Sequence, residues 1–321
     1  MLKRKIVDQL LAWKVEPNHK PVIIKGCRQC GKTFAALHFA QENYRNVVYI
    51  NFFENPGAKD IFAGSLDVDQ ITMMASAYLG VSTRFVPGET VLVLDEIQEC
   101  PQARTALKFF SLDGRYDVIG TGSLLGVAGY GKEPASVPVG YETLINMHPL
   151  DFEEFCWAND VSDSMIEMLR AHLEAETPVP PALHSRMRSL LLEYTVVGGM
   201  PDAVQSFVDN SDMASVLRIQ RDIVRAYEDD MVKYAPAADK PLIKQCFQSI
   251  PRQLAKENKK FQYSLAKKGS TAARFAGSLQ WIEDAGIITR CNNLSITELP
   301  LDGNAIDDQF KIYMADTGLF V

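Results

Sequence analysis

The chain has 321 residues, carries 33 Lys and Arg against 40 Asp and Glu for a net charge of −7, and is 47% hydrophobic. These are the proportions of a folded protein of about two or three domains, and they exclude a disordered chain. No apolar run approaches the ~18 residues that span a bilayer, Asp8, Trp13 and Lys14 interrupt the stretch where a signal peptide needs an apolar core, and the acidic balance disfavours a surface that tracks nucleic acid throughout, so a cytoplasmic protein is expected.

Residues 3–14 carry Ile6, Leu10, Leu11 and Trp13 at helical spacing. A buried strand over Pro21–Lys25 runs into a glycine turn, and a helix over Thr33–Gln41 follows. A second strand (Asn46–Phe52), a helix (68–79), a third strand (Thr90–Asp95), a helix (102–110) and a fourth strand (Tyr116–Gly120) continue the alternation. After a stretch holding Gly122, Gly126, Gly129 and Gly131, residues Tyr141–Met147 form the fifth strand. Short apolar strands alternating with helices predict an α/β fold, a parallel five-stranded sheet covered on both faces. From Asp151 the period is helical through 235, broken at Thr177–Pro181 and at Gly198, Gly199, Met200 and Pro201. Residues 241–321 read as helices followed by two short strands, Ile287–Cys291 and Phe310–Ala315. The expected boundaries are 1–150, 151–237 and 238–321.

Gly26, Cys27, Arg28, Gln29, Cys30, Gly31, Lys32 and Thr33 fit the spacing G-x-x-x-x-G-K-[ST], and the strand before and helix after are the setting in which that spacing works. Glycines let the backbone fold into a nest of N–H groups around phosphate, and the helix N-terminus adds its dipole. Lys32 is expected to meet the β/γ oxygens and the Thr33 hydroxyl to ligate Mg²⁺. An acid must help hold that metal. Four apolar residues, Val91–Leu94, bury the third strand and deliver Asp95 at its carboxyl end, where ligands of open α/β sheets bind. Asp95 is assigned to Mg²⁺ and the adjacent Glu96 to the attacking water. Thr121 and Ser123, after the fourth strand, either sense the γ-phosphate or cap the turn, with Ser123 the preferred sensor.

Six cysteines in a chain this long do not make a disulfide framework, and the scattered histidines complete no zinc site. Cys27 and Cys30 are spaced C-x-x-C inside the phosphate loop, where they are either tolerated small side chains or a pair whose oxidation would distort the nest. The sequence lacks an Asn-Lys-x-Asp guanine signature and a Leu-Ser-Gly-Gly transporter signature. The Asp95, Glu96 pair favours ATP hydrolysis over transfer to a small acceptor.

Through Lys20–Thr33, Val91–Gln98, Ile119–Ser123, Met147–Phe155, Gly198–Pro201 and Ala315–Leu319, the chain resembles the prokaryotic AAA+-type ATPases of the P-loop class, from about residue 1 to its end. The resemblance implies an AAA+/ASCE-type P-loop NTPase core, a helical lid, a winged-helix-like module and a nuclease-like terminal domain. It also implies a chain cut short, because the terminal domain would follow Val321. Where the family often has Gly-Arg before the fifth strand, this chain has Gly140 and Tyr141, so no nucleotide-binding arginine is carried over there.

Between Arg252 and Arg274, seven bases (Arg252, Lys256, Lys259, Lys260, Lys267, Lys268, Arg274) face one acid, Glu257. This is either a DNA- or protein-binding rim within 241–321 or a solvated basic face. Arg218, Arg221 and Arg225 follow Gly199 on one helical stretch, either as a lid arginine or as surface partners of Asp222, Glu228 or Asp229. The expectation is an ATP- and Mg²⁺-dependent ATPase that moves a macromolecular partner, in oligomeric form or not, away from membranes. The alternative is a nucleotide-gated binding switch with little turnover.

Overall fold

Thr90–Asp95 is apolar at four successive positions and buried at all six, as a strand must be when both faces of its sheet are covered. In the computed structural model it is β3 of a five-stranded parallel sheet in the order β2-β3-β4-β1-β5, with β1 Val22–Gly26, β2 Asn46–Asn51, β4 Asp117–Ser123 and β5 Thr143–Met147. The structure describes residues 2–80, 82–124, 140–235, 239–256, 261–263 and 272–320. These fall into two compact units, 3–148 and 149–321.

The first unit holds the sheet and helices α1 (Lys5–Val15), α2 (Lys32–Asn43), α3 (Val68–Leu79) and α4 (Pro101–Asp113). On one face Ile23, Ile50, Leu92 and Leu94 pack with Phe52, Phe62, Ile71, Leu107 and Phe110 in a continuous apolar core. Phe52 and Phe62 meet edge-on at 5.7 Å. Helix α3 starts on Asp67, whose carboxylate accepts from the amides of Asp69 and Gln70, and α4 starts with Pro101 at its first turn. Arg104 of α4 makes a bidentate pair with Glu142 just before β5, Nη2 to Oε1 at 2.7 Å and Nε to Oε2 at 3.2 Å.

The fourth strand runs three residues past the sequence expectation. Thr121, Gly122 and Ser123 stay in the ladder because β1 pairs with β4 as far as Gly26 opposite Ser123. A strand lodged between two neighbours keeps its hydrogen bonds whatever its intrinsic propensity.

The second unit begins with helices α5 (Phe152–Ala158), α6 (Asp163–Glu174), α7 (Pro181–Val197), α8 (Pro201–Asn210) and α9 (Met213–Tyr234). A capping box opens α5: Asp151 accepts from the Glu154 amide and Glu154 from the Asp151 amide. Helices α10 (Lys240–Leu254) and α11 (Ala272–Asp284) follow, then an antiparallel hairpin of β6 (Ile288–Leu294) and β7 (Ala305–Met314). β7 starts five residues earlier than its apolar pattern suggests, since Ala305 and Ile306 pair with Leu294 and Asn293 across an irregularity in the ladder. Gly126, Gly129, Gly131, Lys259, Lys260, Lys267, Lys268 and Glu257 lie outside the described residues, as does the side chain of Arg274.

Candidate functional site

The carboxyl edge of the sheet brings together residues that lie far apart in the sequence. Gly26 ends β1, and a Cβ there would lie 2.3 Å from the Met147 carbonyl oxygen, so only glycine fits beside β5. The chain then turns over Arg28 and Gln29, both exposed, with Gln29 at φ +62° and Gly31 at φ +93°. The left-handed backbone at Gly31 is free of the penalty a side chain would incur and points the chain into α2. Cys27 and Cys30 on either side of the turn are buried. Lys32 Nζ donates to the carbonyls of Cys27 at 2.8 Å and Gly26 at 3.3 Å, so the ammonium lies against the loop it follows.

Thr33 Oγ1 donates to Asp95 at 2.9 Å and 3.1 Å from the two carboxylate oxygens. Sixty-two positions apart in the chain, these residues meet because α2 rises from β1 while β3 ends close by. Asp95 is 2% exposed. A buried carboxylate needs donors, and it has more than the sequence indicated: Tyr49 Oη at 3.0 Å, Asn51 Nδ2 at 3.0 Å and the Thr121 hydroxyl. Asn51 also accepts from the amides of Phe53 and Glu54 at 2.9 Å, which fixes its amide plane. Burial and the Asp95 charge push the Tyr49 phenol up to about 12, so it remains a donor at neutral pH.

Glu96 follows with φ +53°, a left-handed conformation that costs a side-chain-bearing residue of order 1–2 kcal/mol. Its half-buried carboxylate accepts from Gln98 Nε2. Ser123 ends β4 opposite Gly26; the strand-four hydroxyl on Asp95 belongs to Thr121. Tyr49, Asn51 and Arg4 are the residues that sequence reasoning missed. Asn51 carries a weak signal, a polar residue ending an apolar strand. Arg4 carries none: it precedes α1, yet its guanidinium donates to the carbonyls of Cys30 at 3.0 Å and His148 at 2.6 Å, bracing the loop. In the second unit, Arg218 donates to Ser215 at 2.7 Å and Arg225 pairs with Asp222 at 3.2 Å.

Residues 18–156 match the family model described as AAA domain. The first unit is an AAA domain of the P-loop class. Residues 188–321 match a second model, described as Domain of unknown function (DUF8612). No curated protein matches the chain in sequence. Among solved structures, a Walker-type ATPase of Pyrococcus abyssi matches with a TM-score of 0.54 at 15% identity, over 100% of this chain and 95% of that one. The Orc1 protein of Aeropyrum pernix in complex with DNA matches at 0.35 and 15% identity, over 98% and 90%. AMPPCP-bound DnaA from Aquifex aeolicus matches at 0.33 and 10% identity, over 87% and 86%. The first of these shares the fold with this chain.

In the AAA domain the donor set suits a hard cation held jointly with a ligand. Thr33 and Asp95 supply oxygen only, and among the described residues no group of three or more His, Cys, Asp or Glu forms a metal cage. Mg²⁺ is characteristically bound this way, by one or two protein oxygens plus phosphate and water. Among the described residues no helix is long and apolar enough to cross a membrane.

Proposed function

We propose that the chain binds ATP with Mg²⁺ at the carboxyl edge of the AAA-domain sheet and hydrolyses it to move a macromolecular partner. The contact between Thr33 Oγ1 and Asp95 carries this reading, because it joins the end of the phosphate loop to the end of β3 as a shared metal site requires. On this reading Gly26, Cys27, Arg28, Gln29, Cys30 and Gly31 present their amides to the phosphates, Lys32 turns from the loop carbonyls to the β/γ oxygens, and Thr33 and Asp95 hold the cation. Bound Mg²⁺ would neutralise charge developing on the phosphoryl oxygens. Glu96 orients the water, Thr121 sets the metal carboxylate, and Ser123 senses the γ-phosphate. Residues 151–237 serve as the lid and 238–321 as a winged-helix-like module that meets DNA or a protein. Buried cysteines outside any disulfide, Cys27, Cys30, Cys100, Cys156 and Cys246, accord with a cytoplasmic protein.

One contact favours a second reading, a nucleotide-gated switch with little turnover: Gln98 occupies a carboxylate oxygen that Glu96 would offer to water. Two variants decide. Lys32→Ala should weaken ATP binding about 10–100-fold, the loss expected for hydrogen bonds from a charged donor, with the melting temperature kept. Glu96→Gln should keep ATP and lose turnover by about 10²–10⁴-fold. Unchanged ATP affinity in Lys32→Ala removes the site. Unchanged turnover in Glu96→Gln, with partner binding still gated by ATP, leaves the switch.

A further inference from the structure

The phosphate loop contains two thiols whose side chains the nucleotide reading does not use. Cys27 and Cys30 are the first and last residues of the turn over Arg28 and Gln29, with Gln29 in the left-handed region. A four-residue turn holds its end Cα atoms within about 7 Å, and a disulfide spans Cα separations of about 4.4–6.8 Å. The turn that shapes the phosphate nest therefore also sets the two residues at bridging distance. Both side chains are buried at the two ends of that one turn, and the Cys27 side chain bears on the Cys30 thiol. Cys30 Sγ also lies 3.5 Å from the Met147 carbonyl and close to where a Gly26 side chain would be, at the floor of the loop.

The surroundings set this pair apart from the other cysteines. The Cys27 hydrogen bond, and the charges of Lys32 and Arg4, hold the Cys30 thiol down to about 7 against the opposing effect of burial. Burial, with the Glu153 charge beside it, pushes Cys156 up to about 11, and burial alone pushes Cys246 up to about 12. Cys30 is 0% and Cys27 4% exposed, so an oxidant reaches the pair only as the loop opens, which favours a small one over a bulky one.

We propose that Cys27 and Cys30 are a peroxide modification site that closes to a disulfide and shuts the phosphate loop. The Cys30 thiolate attacks one oxygen of hydrogen peroxide; an S–O bond forms, the O–O bond breaks, and hydroxide leaves. The Cys27 sulfur then attacks the Cys30 sulfenic acid; the S–S bond forms, the S–O bond breaks, and water leaves with the Cys27 proton. Two thiols are oxidised and one peroxide becomes two waters. The bridge fixes the two Cβ atoms about 3.8 Å apart and freezes the peptides between them. Those peptides include the Cys27 carbonyl that Lys32 holds, so the nest and its lysine lose their freedom to fit phosphate. The consequence for nucleotide rests on the proposed function; the thiol chemistry does not.

The test treats the full chain with hydrogen peroxide, counts thiols after denaturation, and titrates ATP on the same sample. The thiol count should fall from six to four, a non-tryptic digest should place the bridge between Cys27 and Cys30, ATP affinity should drop by about tenfold or more, and dithiothreitol should restore both. Mg-ATP added first should slow the reaction, and oxidised glutathione, too large for the buried pair, should reach at most the exposed Cys291 and leave Cys27 and Cys30 as thiols. In Cys30→Ser the ratio of ATP affinity before and after peroxide should stay near one. Six thiols after peroxide, a bridge elsewhere, or a Cys27–Cys30 bridge with unchanged ATP affinity each overturns the proposal. Should the reduced protein fail to bind ATP, the nucleotide reading falls, and the thiol count and digest still decide whether the pair closes.

Discussion

Asp95 gathers donors from three other elements, Thr33 from α2, Tyr49 and Asn51 from β2 and Thr121 from β4. Thr121 is 1% exposed, which leaves its hydroxyl little to do except orient that carboxylate. Removing a hydroxyl that serves a buried charged group leaves the charge short of a donor, at a cost of about 1–3 kcal/mol. Thr121→Val should therefore raise the Mg²⁺ concentration needed for half-maximal turnover by about tenfold or more while ATP binding without metal is kept, and Thr121→Ser should restore it. A purely structural role would lower the melting temperature and leave the Mg²⁺ dependence alone. The loop and Asp95 were legible in the sequence because their signal is local: a fixed spacing of Gly, Lys and Thr, and an acid closing an apolar strand. Tyr49 and Asn51 were not, and Thr121 was legible only as a candidate sensor and not as a donor to Asp95, since their convergence depends on β3 lying between β2 and β4, an order that no local spacing encodes.

At the scale of elements the sheet was readable from runs of apolar β-branched residues, and the helices from their period. What stayed hidden were joints made by single polar residues. In the second unit Asp316 follows β7, is 3% exposed, and accepts from the amides of Gly199, between α7 and α8, and Gly318, the latter at 2.9 Å. Beside it the buried Gln220 of α9 donates to the carbonyls of Val196 at 2.8 Å and Val197 at 3.0 Å, and Tyr194 Oη reaches Leu150 O at 2.7 Å. The end of α7 thus gets its hydrogen bonds from residues far along the chain. Burial pushes the Asp316 carboxyl up to about 6, opposed by the two amides. A carboxyl whose folded value lies above its unfolded value contributes stability that is complete below about pH 4 and is lost as pH rises through about 6. Asn cannot titrate, and its amide turns a donor toward one of the two N–H groups. Asp316→Asn should cost about 1–3 kcal/mol, and the melting-temperature gap to wild type should widen as pH falls from 7.5 to 4.5. A gap that narrows toward low pH would show instead that the amides hold Asp316 as the anion.

At the scale of the whole chain, charge is unevenly spent. The net balance is −7, yet seven bases and one acid occupy Arg252–Arg274, and neighbouring charges in the same unit are already used internally, Lys244 with Glu228 at 3.2 Å and Arg290 with Glu283. A basic run in an acidic chain is a local attractor for a polyanion or a surface kept soluble, and salt tells these apart, because each phosphate neutralised on duplex DNA releases counterions and adds about −0.9 to the slope of log K against log salt. If this run is the output of the ATPase, the wild-type chain should bind duplex DNA with a steep negative slope. Lys259→Ala with Lys260→Ala should flatten that slope by about 1.8 and weaken binding alike on unrelated sequences. ATP turnover by the wild type should then rise on adding DNA and lose that response in the double variant, while its basal rate, set in the other unit, is kept. Equal slopes for the two proteins would assign the run to solvent, and turnover that climbs with protein concentration and ignores DNA would point to self-association as the trigger.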